Sequence, residues 1–150
     1  MQILMIVGSE MGNAEMVGDL VKDELEGLGH EVRVISDGGL AEAELDAAET
    51  LLVVSSTTGL GDVPQNVEAL YGELVEERPD LGHLRYGLVG MGDRNYKDTY
   101  CGGPKKWIAI LDELGATRVG EPLMLDATDH PTPDLDALAW LPGWLDALES

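Results

Sequence analysis

The sequence predicts a doubly wound α/β fold built on a parallel sheet. Short apolar runs alternate with longer amphipathic stretches along the whole chain, the pattern of strands that return through helices. Residues 50–55 (TLLVVS) form an almost continuously apolar run, as expected of a central parallel strand covered on both faces. The stretches after Val7, Ser55 and Met91 are rich in Gly, Ser, Thr, Asn and Asp. They put three polar loops at the carboxyl ends of strands, where ligands bind in such sheets.

The elements follow in order. Residues 2–7 (QILMIV) are the first strand. A polar loop leads into a helix over residues 16–28, where Met16, Val17, Leu20, Val21, Leu25 and Leu28 fall at helical spacing and Gly29 stops it. Residues 31–36 (EVRVIS) alternate and form the second strand, and residues 40–49 a short helix and a turn. The third strand, 50–55, opens into a long polar loop over 56–66, followed by a helix over 67–77 that ends near Pro79. Residues 85–91 (RYGLVGM) are the fourth strand, and 92–99 a further polar loop. The next helix begins near Pro104, whose ring suits a first helical turn, and ends at Leu114 before Gly115. Residues 118–126, interrupted by Gly120 and Pro122, are the fifth strand. A helix over 134–148 closes the chain, with Pro142 expected to kink or split it.

A length of 150 residues with 44% hydrophobic content suits a single domain, 1–150, with a proper core. No repeat, linker, long apolar run or signal-peptide pattern interrupts it, so a cytoplasmic location is expected. One cysteine, Cys101, excludes an internal disulfide framework and reads as a small buried side chain. Twenty-nine acidic residues against nine basic ones leave a net charge of -20. That argues against nucleic acid, whose phosphates would be repelled. Three explanations stay open: a cationic docking partner, adaptation to a salty cytoplasm, and solubility alone.

The first loop reads Gly8, Ser9, Glu10, Met11, Gly12, Asn13, Ala14, Glu15. A helix that follows such a loop offers unpaired N–H groups and a favourable dipole to an anion. The loop has no Lys or Arg and matches neither GxxxxGK[ST] nor GxGxxG, so triphosphate and dinucleotide readings are weak. A neutral loop lined by hydroxyl and amide groups suits one phosphate monoester; the alternative is an ordinary turn that binds nothing. In the second loop, Gly59 and Gly61 flank Leu60 and allow close backbone approach. The third loop carries Tyr96 and Tyr100 among polar groups, in a chain with 5% aromatic residues and no Phe. A flat ligand stacked on a tyrosine is one reason, and a plug onto the core is the other. His30, His83 and His130 lack ligand-like spacing, so no metal site is expected. Trp107, Trp140 and Trp144 lie on predicted helices and read as core residues, and Asp62 as a turn-holding side chain.

Taken together, the segments 8–15, 57–62 with Asn66, and 90–96 with Tyr100 and Cys101 resemble the loops of the flavodoxin family, including the FMN domains of diflavin reductases. The resemblance covers the whole chain. It is greatest to the small, short-chain MioC-like flavodoxins, which also share the Asp129-His130 and 140–144 stretches. It implies a flavodoxin-like five-stranded parallel sheet of order 2-1-3-4-5 with helices on both faces, and FMN as cofactor. In that frame Ser9, Glu10, Met11, Gly12, Asn13 and Ala14 surround the FMN phosphate. Ser56, Thr57, Thr58 and Gly59 line the isoalloxazine, with the Gly59 carbonyl near N5. Gly92, Asp93, Arg94, Asn95, Tyr96, Thr99 and Tyr100 form the third wall, with Tyr96 stacked on the ring. Met11 stands where many flavodoxins have Thr, and Thr58 where the diflavin domains have an aromatic residue.

The implied function is a one-electron carrier, not an enzyme. It would take electrons from an NADPH-dependent flavodoxin reductase and pass them to an acceptor enzyme, docking through its acidic surface as a monomer, with no nucleic-acid or membrane partner. The alternatives are a small NAD(P)H-dependent flavin oxidoreductase and a flavin-free interaction domain such as a receiver. Nothing in the chain looks like a nicotinamide site, and Ser55-Ser56-Thr57 stands where a receiver needs a phosphorylatable Asp.

Overall fold

In a computed structural model of the chain, residues 1–9, 13–56, 63–92, 102–126 and 133–149 are described. Their strands are β1 (Gln2–Gly8), β2 (Glu31–Ile35), β3 (Thr50–Ser55), β4 (Arg85–Gly92), β5 (Thr117–Arg118) and β6 (Leu123–Asp126). The helices are α1 (Asn13–Gly27), α2 (Leu40–Ala43), α3 (Glu68–Glu77), α4 (Gly102–Glu113) and α5 (Pro133–Glu149), with 3-10 turns at Leu45–Ala47 and Gln65–Val67. All strand pairs are parallel, in the order β2-β1-β3-β4-β5, and β6 also pairs with β4.

Strand alternation divides the core in two. Leu4, Ile6, Leu51, Val53, Tyr86 and Leu88 face α3 and α4, where they meet Leu70, Leu74, Trp107 and Leu111. Ile3, Met5, Val7, Leu52, Val54 and Val89 face α1 and α5, where they meet Val17, Val21, Leu25, Leu141 and Trp144. Both faces of β1 and β3 are therefore buried, which explains their near-continuous apolar sequences. Trp107 and Trp144 are core residues, as expected. Trp140 is partly buried, stacks on Trp144 and donates its indole N–H to the Glu121 carbonyl.

The differences from expectation lie at element ends. The fifth strand is two short pieces on the same edge of β4. The Val119 N–H makes the first piece's last bond to β4, at the Tyr86 carbonyl, and residues 120–122 then leave the ladder, where Gly120 takes φ +73° and Pro122 has no N–H to donate. α1 starts at Asn13, not at Met16, and α4 at Gly102, ahead of Pro104. α5 is not split, because the helix continues through Pro142. That proline is exposed, so water can reach the backbone it disturbs, while Ala137, Leu141, Trp144, Leu145 and Leu148 pack on the sheet.

Tyr86 is buried, and its hydroxyl donates to Asp112 Oδ1 at 2.6 Å. Burial, and then the Asp112 carboxylate, push its pKa well above the ordinary tyrosine value. The folded state thus holds this proton more tightly than the unfolded chain does. The stabilisation is complete below about pH 10 and is lost as the pH rises beyond that. Tyr86→Phe should cost about 1 kcal/mol at pH 7. The wild-type advantage should shrink or reverse by pH 11, as read from urea midpoints at both pH values. An advantage unchanged between the two would show that the tyrosine proton does not contribute.

Candidate functional site at the carboxyl ends of the strands

β1 runs into β2 on one side, and β3 continues the sheet on the other, so the strand order reverses between β1 and β3. Loops leaving adjacent strands in opposite directions open a crevice at such a point. The ends of β1 and β3 are stitched together across it. Ser56 donates its backbone N–H to the Gly8 carbonyl at 2.9 Å, and its hydroxyl reaches the same oxygen at 3.3 Å. Ser55 Oγ, fully buried, donates to the Ser56 carbonyl at 3.0 Å.

Gly8 is required here by close approach. A Cβ on it would sit 2.9 Å from Val67 Cγ2, 3.0 Å from Ser55 Oγ and 3.3 Å from Pro64 Cδ. The segment that returns from the second loop therefore packs directly on the end of β1. Asn66, in the 3-10 turn of that segment, is bound on every side. Its Oδ1 accepts the Ser9 N–H at 3.0 Å, and its Nδ2 donates to the Val7 carbonyl at 2.8 Å and the Ser36 carbonyl at 2.6 Å. The turn after β2 is held further along: Glu73 accepts the Leu40 N–H at 2.6 Å and Glu42 the Gly39 N–H at 2.8 Å. The latter bond holds the exposed Glu42 carboxyl below the usual carboxylate range.

Of the residues predicted to form the site, Ser9, Asn13, Ala14, Ser56 and Gly92 are described, Asn13 and Gly92 for their backbone only. Ser9 follows β1 directly, and Asn13 is the first residue of α1. The Ala14 side chain is fully buried in the core, which leaves its backbone to serve a ligand. Gly92 ends β4 beside Asp126. Glu10, Met11, Gly12, Thr57, Thr58, Gly59, Asp93, Arg94, Asn95, Tyr96, Thr99 and Tyr100 lie outside the described residues, as do Asp62 and Cys101. Asn66 was part of the second-loop pattern but carried no role in the sequence reading. Its signal is its place two residues after a proline that closes a glycine-rich loop.

The donor set suits a phosphate monoester. A 15-residue helix starts five residues after the end of β1, and its leading N–H groups have no intrahelical partners. Among the described residues, no group of three His, Cys, Asp or Glu side chains can hold a metal ion. A groove of about 630 Å³ elsewhere, lined by Gln2, Glu31, Arg33, Glu49 and Arg85 among others, lies at the amino ends of the strands, away from these loops. Its two arginines are committed to carbonyls, Arg33 to Glu42 and Ala43 and Arg85 to Leu148.

The flavodoxin family model matches residues 5–140. The chain belongs to the flavodoxin family. It is 39% identical over 150 residues to flavodoxin YqcA of Pectobacterium carotovorum subsp. carotovorum, covering 99% of this chain and 98% of that protein. It is 40% identical over 147 residues to protein MioC of Escherichia coli K12, covering 98% of each. A cysteine-to-serine variant of a flavodoxin from Pseudomonas aeruginosa superposes with a TM-score of 0.91 at 35% identity over the full length of both chains. As a flavodoxin the protein is an electron carrier and not an enzyme, and FMN is its cofactor. The observed strand order is the one that the resemblance implied. No helix among the described residues is long and apolar enough to cross a membrane.

Proposed function

We propose that this chain shuttles single electrons on FMN held in the crevice between β1 and β3, as a single-domain cytoplasmic monomer. The observation that carries the reading is the start of α1 at the strand-order reversal, behind a loop free of Lys and Arg, in a member of this family. When bound, FMN supplies the one-electron chemistry. The protein binds, orients and shields it.

In this reading the leading amides of α1, at Asn13 and Ala14, point at the phosphate with those of Glu10, Met11 and Gly12. Ser9 contributes its hydroxyl, because its own N–H is given to Asn66. Ser56, Thr57, Thr58 and Gly59 would line one side of the ring, and the Gly59 carbonyl would accept a hydrogen bond from N5–H once the flavin has gained an electron. Gly92, Asp93, Arg94, Asn95, Thr99 and Tyr100 enclose the pyrimidine end, with Tyr96 stacked on the ring. The acidic surface, net -20, disfavours further negative charge on the flavin and steers a cationic face of an NADPH-dependent reductase or of the acceptor enzyme into place.

The test is a visible spectrum of the protein with added FMN, followed by anaerobic reduction one electron at a time at low and at molar salt. A bound yellow flavin whose long-wavelength absorbance rises and then falls across the titration is the expected result. Absence of a bound yellow species at every salt concentration would overturn the proposal. Rapid bleaching by NADPH with no reductase present would replace the carrier reading with an oxidoreductase one.

A further inference from the structure

Asn66 joins three stretches of backbone: the end of β1, the residue after β2, and the turn that carries it. Its amide touches the last turn-facing carbonyl of β1 at Val7, the first residue of the phosphate loop at Ser9, and the residue after β2 at Ser36. It sits itself in the 3-10 turn that ends the second loop. A side-chain amide has one acceptor oxygen and two donor hydrogens. All three functions are used here, by partners 57, 59 and 30 residues away in sequence. No other side chain of this size can accept one bond and donate two in a plane.

The bond to Ser9 has a consequence for the ligand. An N–H at the start of an anion-binding loop would ordinarily join the others that face the anion. Here it is turned toward Asn66, 3.0 Å away. That direction sets the plane of the Gly8–Ser9 peptide, where the chain leaves β1. At the same time the turn carrying Asn66 is pressed on Gly8 through Val67 and Pro64. The seat of that turn on β1 thus rests on apolar packing, and the direction of the Ser9 amide on the Asn66 side chain.

We infer that Asn66 is a positioning residue for the flavin phosphate: by taking the Ser9 amide and both neighbouring strand-end carbonyls, it fixes the departure of the phosphate loop from β1. It touches no part of the cofactor in this role. The inference rests on FMN occupying the β1/β3 crevice, and its test separates the two ideas.

The test compares binding of FMN and of riboflavin, which lacks the phosphate, to apoprotein of wild type and Asn66→Ala, read by flavin fluorescence quenching. The proposal expects the FMN dissociation constant to rise 10- to 100-fold by the loss of two or three hydrogen bonds that position the loop. Riboflavin binding should change less than about threefold, because the turn that ends the ring-lining loop stays seated on Gly8 through Val67 and Pro64 without the Asn66 amide. Equal weakening of both ligands would reduce Asn66 to a general structural role and overturn the proposal, as would no change in either. If wild type binds neither ligand, the crevice reading itself fails, whatever the variants do.

Asn66→Thr is the second variant, for the case in which the alanine protein does not fold. Its hydroxyl fills most of the space but cannot serve three partners, and the same loss confined to FMN is expected. Asn66→Gln carries the full set of functions one methylene too far out. It should recover part of the FMN affinity relative to alanine, and no recovery beyond alanine together with an equal loss of riboflavin affinity would count against the positioning role.

Discussion

Replacement of Gly87 by alanine should cost more than 3 kcal/mol or prevent folding, an overpacking cost at or beyond the usual range of about 1–3 kcal/mol. Gly87 lies in the middle of β4, on the face covered by α5. A Cβ there would fall 2.5 Å from Trp144 Cε2 and 2.9 Å from Cδ1. Trp144 is 2% exposed, stacks on Trp140 and shares its layer with Leu141, Leu145 and Leu148. The indole is not the free end of a flexible side chain, so α5 must move as a whole to make room. Burial in the core cluster that Trp144 and Val89 share would suffer with it.

The control is Gly72→Ala in α3, where an added Cβ meets nothing within 4 Å. There the same chemical change should stabilise by roughly 0.5–1 kcal/mol, through helix propensity and a less flexible unfolded chain. Denaturant titration of the three proteins checks both signs. A Gly87→Ala protein within about 1 kcal/mol of wild type would mean that α5 yields easily, contrary to the close packing of interiors.

The second expectation concerns salt. Raising potassium chloride from about 0.1 M to 2 M should raise the thermal midpoint by on the order of 10 °C. The net charge of -20 gives roughly 200 repelling pairs; at about 20 Å in water each costs about 0.2 kcal/mol unscreened and several times less at 0.1 M salt. About 5 kcal/mol of self-repulsion then remains, part of which the expanded unfolded chain also carries. Surface ion pairs offset such repulsion little. Lys22–Glu26 at 3.7 Å and Arg78–Glu113 at 3.0 Å, two salt bridges among the described residues, both lie partly in solvent.

The shape of the salt curve separates two causes. Simple screening is nearly complete by about 0.5 M, where the Debye length has fallen to a few ångströms. A midpoint that climbs to about 0.5 M and then levels means that the acidic surface serves steering or solubility. A midpoint still rising steadily toward 3 M means that salt ions and hydration of the carboxylates take part in stability, as in a protein adapted to a salty cytoplasm. A midpoint that does not move would show that the folded and unfolded chains repel themselves equally.

The sequence by itself determined the strands and the layer order, because burial on both faces demands unbroken apolar runs such as residues 3–7 and 51–54. The family was legible as a resemblance carried by the residues of segments 8–15, 57–62 and 90–96. Helix starts were less legible: α1 reaches back to Asn13 because tertiary packing, through the fully buried Ala14, extends it beyond the apolar periodicity. Pro142 is expected to kink or split its helix, yet α5 continues, since local propensity is outweighed by a buried face that runs from Ala137 to Leu148. The split of the last strand was half visible in Gly120 and Pro122, and only pairing with β4 decided that both pieces stay on one edge. The role of Asn66 belongs wholly to the tertiary structure. Its residue type says that it can accept one hydrogen bond and donate two, but the partners lie 30 to 59 residues away, and only the folded sheet brings Val7, Ser9 and Ser36 to one side chain.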